Sequence, residues 1–140
     1  MNQKFNEFIS CHNIDHSSFC VQSTDFSFFE SEMLVPMGEQ LREYILTYGY
    51  LGYEFVEFLG INSKMMENST MVKETKYLHK YFEKTNGLIA FENQGDGNYF
   101  LVDKDDYMYN YLSSCDELKV LNMKLFDYIM DRIKFVDEVL

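Results

Sequence analysis

The sequence is short of positive charge. Twelve Lys and Arg face 23 Asp and Glu among 140 residues, a net charge of −11. A chain this acidic is repelled by phosphate backbones and anionic headgroups, which argues against nucleic acid or a membrane surface as partner and favours a basic protein. Cysteine is scarce too: Cys11, Cys20 and Cys115 are an odd number, which excludes a disulfide framework for the whole set and points to free thiols. No apolar run approaches the roughly 20 residues that a membrane helix needs, and the Met1 region lacks the apolar core of a signal peptide. A soluble, cytoplasmic protein is expected.

Apolar and aromatic residues, by contrast, are plentiful: 46% and 17% of the chain, too many for a disordered one. The length suits a single domain over residues 1–140 that needs no metal or cofactor to hold it. Acid is concentrated in two windows. Asp25 to Glu57 carries seven acids against Arg42 alone, and Glu92 to Glu117 carries seven against Lys104 alone, whereas Lys64 to Lys84 has five Lys against three Glu.

The stretch from Leu88 to Tyr111 dominates the secondary-structure pattern. Leu88 to Glu92, Tyr99 to Val102 and Tyr107 to Tyr111 are strand-like runs separated by Gly95-Asp96-Gly97-Asn98 and Asp103-Lys104-Asp105-Asp106, the pattern of an antiparallel meander. Within the third run Tyr107, Tyr109 and Tyr111 share one face. Leu118 to Leu121 reads as a further strand, and a helix from about Lys124 carries Leu125, Phe126, Ile129, Ile133 and Val136 on one side.

Upstream, Phe5, Phe8, Ile9 and His12 after Asn2 predict a short capped helix. Residues 13–31 predict a polar connection with some strand content. Pro36 to Gly49 reads as a helix with the proline in its first turn and the glycine past its end. Tyr53 to Phe58 predicts one strand, kept at an edge by Glu54 and Glu57. Asn68 or Ser69 can cap a helix whose inward stripe is Val72, Thr75, Leu78, His79 and Phe82.

Several chemical readings fail on spacing. Cys11, His12, His16 and Cys20 are soft ligands, but structural zinc sites usually pair cysteines two to four residues apart. A Cys-His nucleophile among them lacks an identifiable orienting acid. Asp103, Asp105 and Asp106 have the density of a calcium loop, yet Met108 stands where its glycine belongs and Ser114 where its bidentate acid belongs. Gly95-Asp96-Gly97 is a lone Gly-x-Gly between strands, a tight turn rather than a nucleotide loop. An enzyme using Glu92, Asp96 or Asp103 with His79 is the weakest of the functional readings.

In order along the chain, Val35-Pro36 before a helix, Tyr48-Gly49 ending it, Ile89-Ala90-Phe91-Glu92-Asn93, Gly95-Asp96-Gly97, Leu101-Val102-Asp103, Tyr107-Met108-Tyr109 and a last helix with Phe126 resemble the SUKH superfamily. That group includes fungal cell-wall-assembly regulators and many bacterial immunity proteins, and the resemblance spans roughly residues 32–135. It differs in having no tryptophan, which many members carry in the first helical region. The resemblance implies an α+β fold, a central antiparallel sheet flanked by helices, and a non-catalytic domain that binds another protein. In bacterial members that partner is commonly a polymorphic toxin, frequently a nuclease.

Charge and resemblance together predict an immunity protein that neutralises a cognate toxin domain, a basic nuclease, through an acidic, tyrosine-bearing surface. Glu54, Asp96, Asp105, Asp106 and Tyr107 are its candidate partner-binding residues, with no catalytic residue and no metal. Glu92 and Asp103 are alternatively structural, holding turns through backbone hydrogen bonds. A regulatory or scaffold module of the cell-wall-regulator type is the alternative function.

Overall fold

The structure is a computed structural model and describes residues 2–16 and 21–140. Five helices and seven strands follow one another as α1 (Gln3–Ser10), β1 (Asp15–His16), α2 (Phe26–Met33), α3 (Glu39–Tyr48), β2 (Leu51–Tyr53), β3 (Val56–Phe58), α4 (Thr70–Tyr81), β4 (Ile89–Asn93), β5 (Asn98–Val102), β6 (Tyr107–Leu112), β7 (Glu117–Lys124) and α5 (Leu125–Val139) among the described residues. Strands β4 to β7 form an antiparallel meander in sequence order, and β1 to β3 form a second, three-stranded antiparallel sheet. The two sheets touch where Leu59 N–H donates to Phe91 O at 2.7 Å. This is an α+β fold with antiparallel sheets flanked by helices.

Helix α5 covers one face of the meander, with Tyr128 against Phe100 at 5.2 Å between ring centroids. An irregularity in β4 makes this face unusually rich. One extra residue, Phe91, falls between the paired positions Ala90 and Glu92. A bulge of this kind turns two successive side chains the same way, so Phe91 packs near the Tyr128 ring while Glu92 accepts a hydrogen bond from the Tyr128 hydroxyl.

On the other side α4 closes the free edge of β4. Thr75 Oγ1 accepts Ala90 N–H at 2.9 Å, and His79 Nε2 bonds Leu88 O at 2.7 Å. Those bonds explain two polar residues in the inward stripe: they occupy backbone groups that an unpaired strand edge would leave open. The predicted cap of this helix works differently. Ser69 Oγ is buried without a partner among the described residues, and Asn62 Oδ1 accepts Thr70 N–H instead.

The N-terminal helix forms as expected, Asn2 Oδ1 accepting Phe5 N–H at 2.9 Å and Phe5 stacking on Phe126 at 4.1 Å. The connection expected over residues 13–31 contains a helix, α2. Its buried stripe of Phe26, Phe29 and Met33 is broken in the sequence by outward Phe28, which blurs the helical period. A single 3-10 turn, Ser23–Asp25, leads into it, with Asp25 accepting Gln22 N–H to close that turn. Pro36 lies ahead of α3 rather than within its first turn. Tyr53 to Phe58 is a hairpin and not one strand: Glu54, at φ 53°, and exposed Phe55 form the two-residue turn between β2 and β3.

Helix α2 ends at Leu34, a leucine in the left-handed region at φ 58° and 81% exposed. Glycine takes that conformation without the Cβ clash, and so exposed a side chain contributes little burial. Leu34→Gly is therefore expected to stabilise the fold by about 1 kcal/mol, seen as a higher urea midpoint at unchanged slope.

Candidate functional site

Asp106 organises one corner of the molecule. It ends the turn between β5 and β6 at φ 71°, and its carboxylate accepts Gln40 N–H at 2.9 Å and Leu41 N–H at 3.0 Å. The N-cap residue of α3 is Gly38, which has no side chain to offer those amides. Aspartate from another part of the chain supplies the cap that glycine lacks. The Asp106 backbone carbonyl also accepts Leu125 N–H at 2.9 Å, and Gln40 Oε1 accepts Phe126 N–H. The first turns of α3 and α5 thus meet at the β5–β6 turn.

This corner gives Asp106 a structural role that the sequence did not suggest. Asp106 is 4% exposed and both its oxygens are engaged by amides, so it caps α3 and offers little surface to a partner. Burial holds its carboxyl above the usual aspartate range, with the two amides pulling the other way. Asp103 is structural in the manner anticipated: it accepts the amides of Asp105 and Tyr107 and the hydroxyl of Tyr109. Glu92 is structural by another route, through Arg132 and Tyr128 rather than a turn.

Asp105 and Tyr107 remain at the surface of this corner, with Lys124 Nζ 5.1 Å from the Tyr107 ring centroid. Glu39 and Asp127 lie in the first turns of α3 and α5, which meet at the same turn. Acids there are favoured by the helix dipole, a structural reason for part of the cluster. None of Glu39, Asp105 and Asp127 is in an ion pair among the described residues.

Asp96 and Glu54 lie elsewhere. Asp96 tops the β4–β5 turn, at the opposite end of β5 and beside the β6–β7 turn, where Gly97 O accepts Ser113 N–H. At about 3.4 Å per residue the five residues of β5 alone put roughly 17 Å between the two ends. Glu54 stands on the β2–β3 turn. Its neighbour Tyr53 donates to Asp137 near the end of α5, a bond that with His12 lowers the Asp137 pKa. The five predicted residues are therefore not one patch.

The tyrosines divide as well. Tyr99 and Tyr111 are core; burial beside Asp116 pushes the Tyr111 phenol up to about 12. Tyr109 is half-buried on Asp103, and Tyr107 is 43% exposed. What the sequence reading missed is the outer stripe of α3, Glu39, Glu43 and Leu46, at the four- and three-residue spacing that puts them on one face. The helical period that buries Leu41, Tyr44 and Ile45 on the inner side of that helix also marks this one.

The residues of the enzyme reading are spread over separate places: Glu92 faces α5, His79 bonds the edge of β4, Asp103 holds its turn and Asp96 is at the far end. Among the described residues no group of three or more His, Cys, Asp or Glu is placed to hold a metal, Cys20 lying outside them. No helix of the described residues is long and apolar enough to cross a membrane.

An antiparallel α+β frame with its exposed acids on turns and helix starts defines a domain whose candidate site is a surface. A family model described as SMI1-KNR4 cell-wall (SUKH_5) matches residues 16–133. The chain belongs to this family, in the SUKH superfamily, whose domains are protein-binding modules. A comparison with curated proteins gives no match.

Proposed function

We propose that the protein is a cytoplasmic immunity protein that binds a cognate toxin domain, a basic nuclease, and neutralises it by occupying the surface meant for its substrate. The observation that carries this reading is the corner where the first turns of α3 and α5, with Glu39 and Asp127, meet the turn that carries Asp105 and exposed Tyr107, none of the three acids in an ion pair among the described residues, on a chain of net charge −11. A nuclease presents Lys and Arg to phosphates, so carboxylates can take the place of phosphates there, while a tyrosine adds rigid contact area. Asp96 and Glu54 belong to the proposed surface only where the partner is broad enough to reach them. No chemical step is assigned to the protein.

The test is the neighbouring gene followed by co-expression: a large adjacent gene ending in a variable C-terminal domain is expected, rescue of growth on co-expression with that domain supports the reading, and continued killing with both proteins present sinks it. Steering supplies a second measurement. Association is expected near 10⁸ M⁻¹s⁻¹, as an order of magnitude, at low salt, slowing towards about 10⁶ at high salt, because the Debye length is about 8 Å at physiological ionic strength. Asp105→Lys is expected to flatten that dependence. A salt-independent rate for the wild type would refute the electrostatic part.

The matched family model favours a second reading, since its description names cell-wall proteins. A regulatory or scaffold module for another cytosolic protein uses the same surface without a toxin. Pull-down with a partner whose loss changes growth morphology, and no toxin gene alongside, would favour it.

A further inference from the structure

An open groove of about 800 Å³ runs between α1 and α3. Phe126 is among its lining residues, and Leu46 on the outer face of α3 is 45% exposed. Along the same face stand Glu43 and Glu39, one and two turns before it. Glu43 Oε1 accepts the Asn2 amide at 3.1 Å, which ties the start of α1 to α3 and fixes one end of the groove. The one base among the lining residues is Arg42, and it is turned away: Nη2 pairs with Glu30 at 3.2 Å, Nε donates to Met37 O, and the guanidinium lies over the Phe26 ring. The charge presented to a molecule in the groove is therefore negative, set beside an exposed leucine.

An apolar side chain flanked by two carboxylates at helical spacing is complementary to one kind of segment. We propose that this groove seats an apolar side chain from a basic amphipathic segment of the partner protein, with Lys or Arg of that segment over Glu39 and Glu43. The groove starts at the same corner as Asp105 and Asp127, because Gln40, which lines it, is held by Asp106 and holds Phe126. A partner on the corner would extend into it without a gap. The proposal rests on the reading of a basic partner, and names which feature of that partner is recognised here.

The test uses the full chain, isotope-labelled, and two synthetic amphipathic peptides, one of leucine and lysine and one of leucine and glutamate. Amide shifts on titration with the lysine peptide are expected to cluster on α1 and α3, and the glutamate peptide is expected to produce none. Leu46→Gln should weaken the lysine peptide about fivefold by removing apolar contact, and Glu39→Lys about tenfold by reversing a charge. Both side chains are exposed, so thermal unfolding should stay cooperative and shift only slightly, by the helix-dipole interaction that Glu39→Lys gives up. Shifts spread evenly over every acidic surface, or affinities untouched by both substitutions, would overturn the groove. Growth rescue is scored separately: a chain that takes the peptide in the groove yet rescues nothing refutes the toxin reading alone, and one that rescues with undiminished affinity for the toxin with both substitutions in place refutes the groove.

Discussion

Glu92→Leu is expected to destabilise the fold by about 3–5 kcal/mol, the cost of leaving one partner of a buried ion pair alone. The glutamate side chain is 4% exposed and that of Arg132 is 19%. Their contact is two-pronged, Nε to Oε1 at 3.1 Å and Nη2 to Oε2 at 2.8 Å, and the Tyr128 hydroxyl donates to the same carboxylate. Leucine would leave a guanidinium and a hydroxyl facing an apolar wall. Burial followed by the nearby Glu92 charge holds the Tyr128 phenol far above its usual pKa, so it is a donor throughout the working pH range and needs that acceptor. Urea unfolding gives the measurement: the midpoint falls and the slope stays.

A second substitution separates the pair from mere bulk. Adding Arg132→Met to Glu92→Leu removes the stranded charge, and most of the lost stability is expected to return, since apolar replacement of both partners of a buried pair is commonly near neutral. A double variant as unstable as the single one would mean that Glu92 acts through packing at the bulge. The pair still has a structural consequence that leucine and methionine would not reproduce: it fixes where α5 crosses the meander, and so where Asp127 at its start meets the β5–β6 turn.

Much of this frame is legible in the sequence because its signals are local. Turn residues between alternating runs give β4, β5 and β6 to within a residue or two, and the apolar stripes give α1, α4 and α5. The features that escaped depend on partners distant in sequence. Helix α2 is hidden because Phe28 faces outward among inward phenylalanines. The β2–β3 turn is hidden because Glu54 and Phe55 form it without glycine, asparagine or proline. Neither the roles of Glu92 and Asp106 nor their burial can be read from spacing, for Arg132 lies 40 residues from the one and Leu41 lies 65 from the other. Asp105 and Tyr107 are placed at the surface as the sequence suggested, whereas the Asp next to them belongs to the interior. An acidic run does not reveal which of its members face water.

Asp106 supplies the other large expected effect. Asp106→Ala leaves the buried Leu41 amide and the half-buried Gln40 amide without acceptors and places alanine in the left-handed region, a loss of about 2–4 kcal/mol. Asp106→Asn keeps one acceptor and tolerates the backbone conformation, so a smaller loss of about 1 kcal/mol is expected. The two variants also differ from wild type with pH. Burial raises the folded-state pKa of Asp106 above its unfolded value. Between those values the native state binds the extra proton, so the contribution of Asp106 to stability falls as pH rises through that window. The difference in stability between wild type and Asp106→Asn should narrow over the same interval and then stay constant.

Gly38 tests whether the cap is the cause. A Cβ on Gly38 would stand 2.3 Å from Asp106 Oδ1 and 2.7 Å from Oδ2, too close for the carboxylate to keep both amides. Gly38→Ala in the wild type is therefore expected to lose stability on the scale of Asp106→Ala, whereas in an Asp106→Ala background it should cost little, because the displaced group is already gone. The coupling in this double-mutant cycle is expected to reach about 2 kcal/mol. Additive losses would show that Gly38 is needed for its own backbone and not to admit Asp106. A collapse of the second loss would establish that the start of α3, and with it the position of Glu39 and Glu43 along the groove, is set by a carboxylate from the β5–β6 turn.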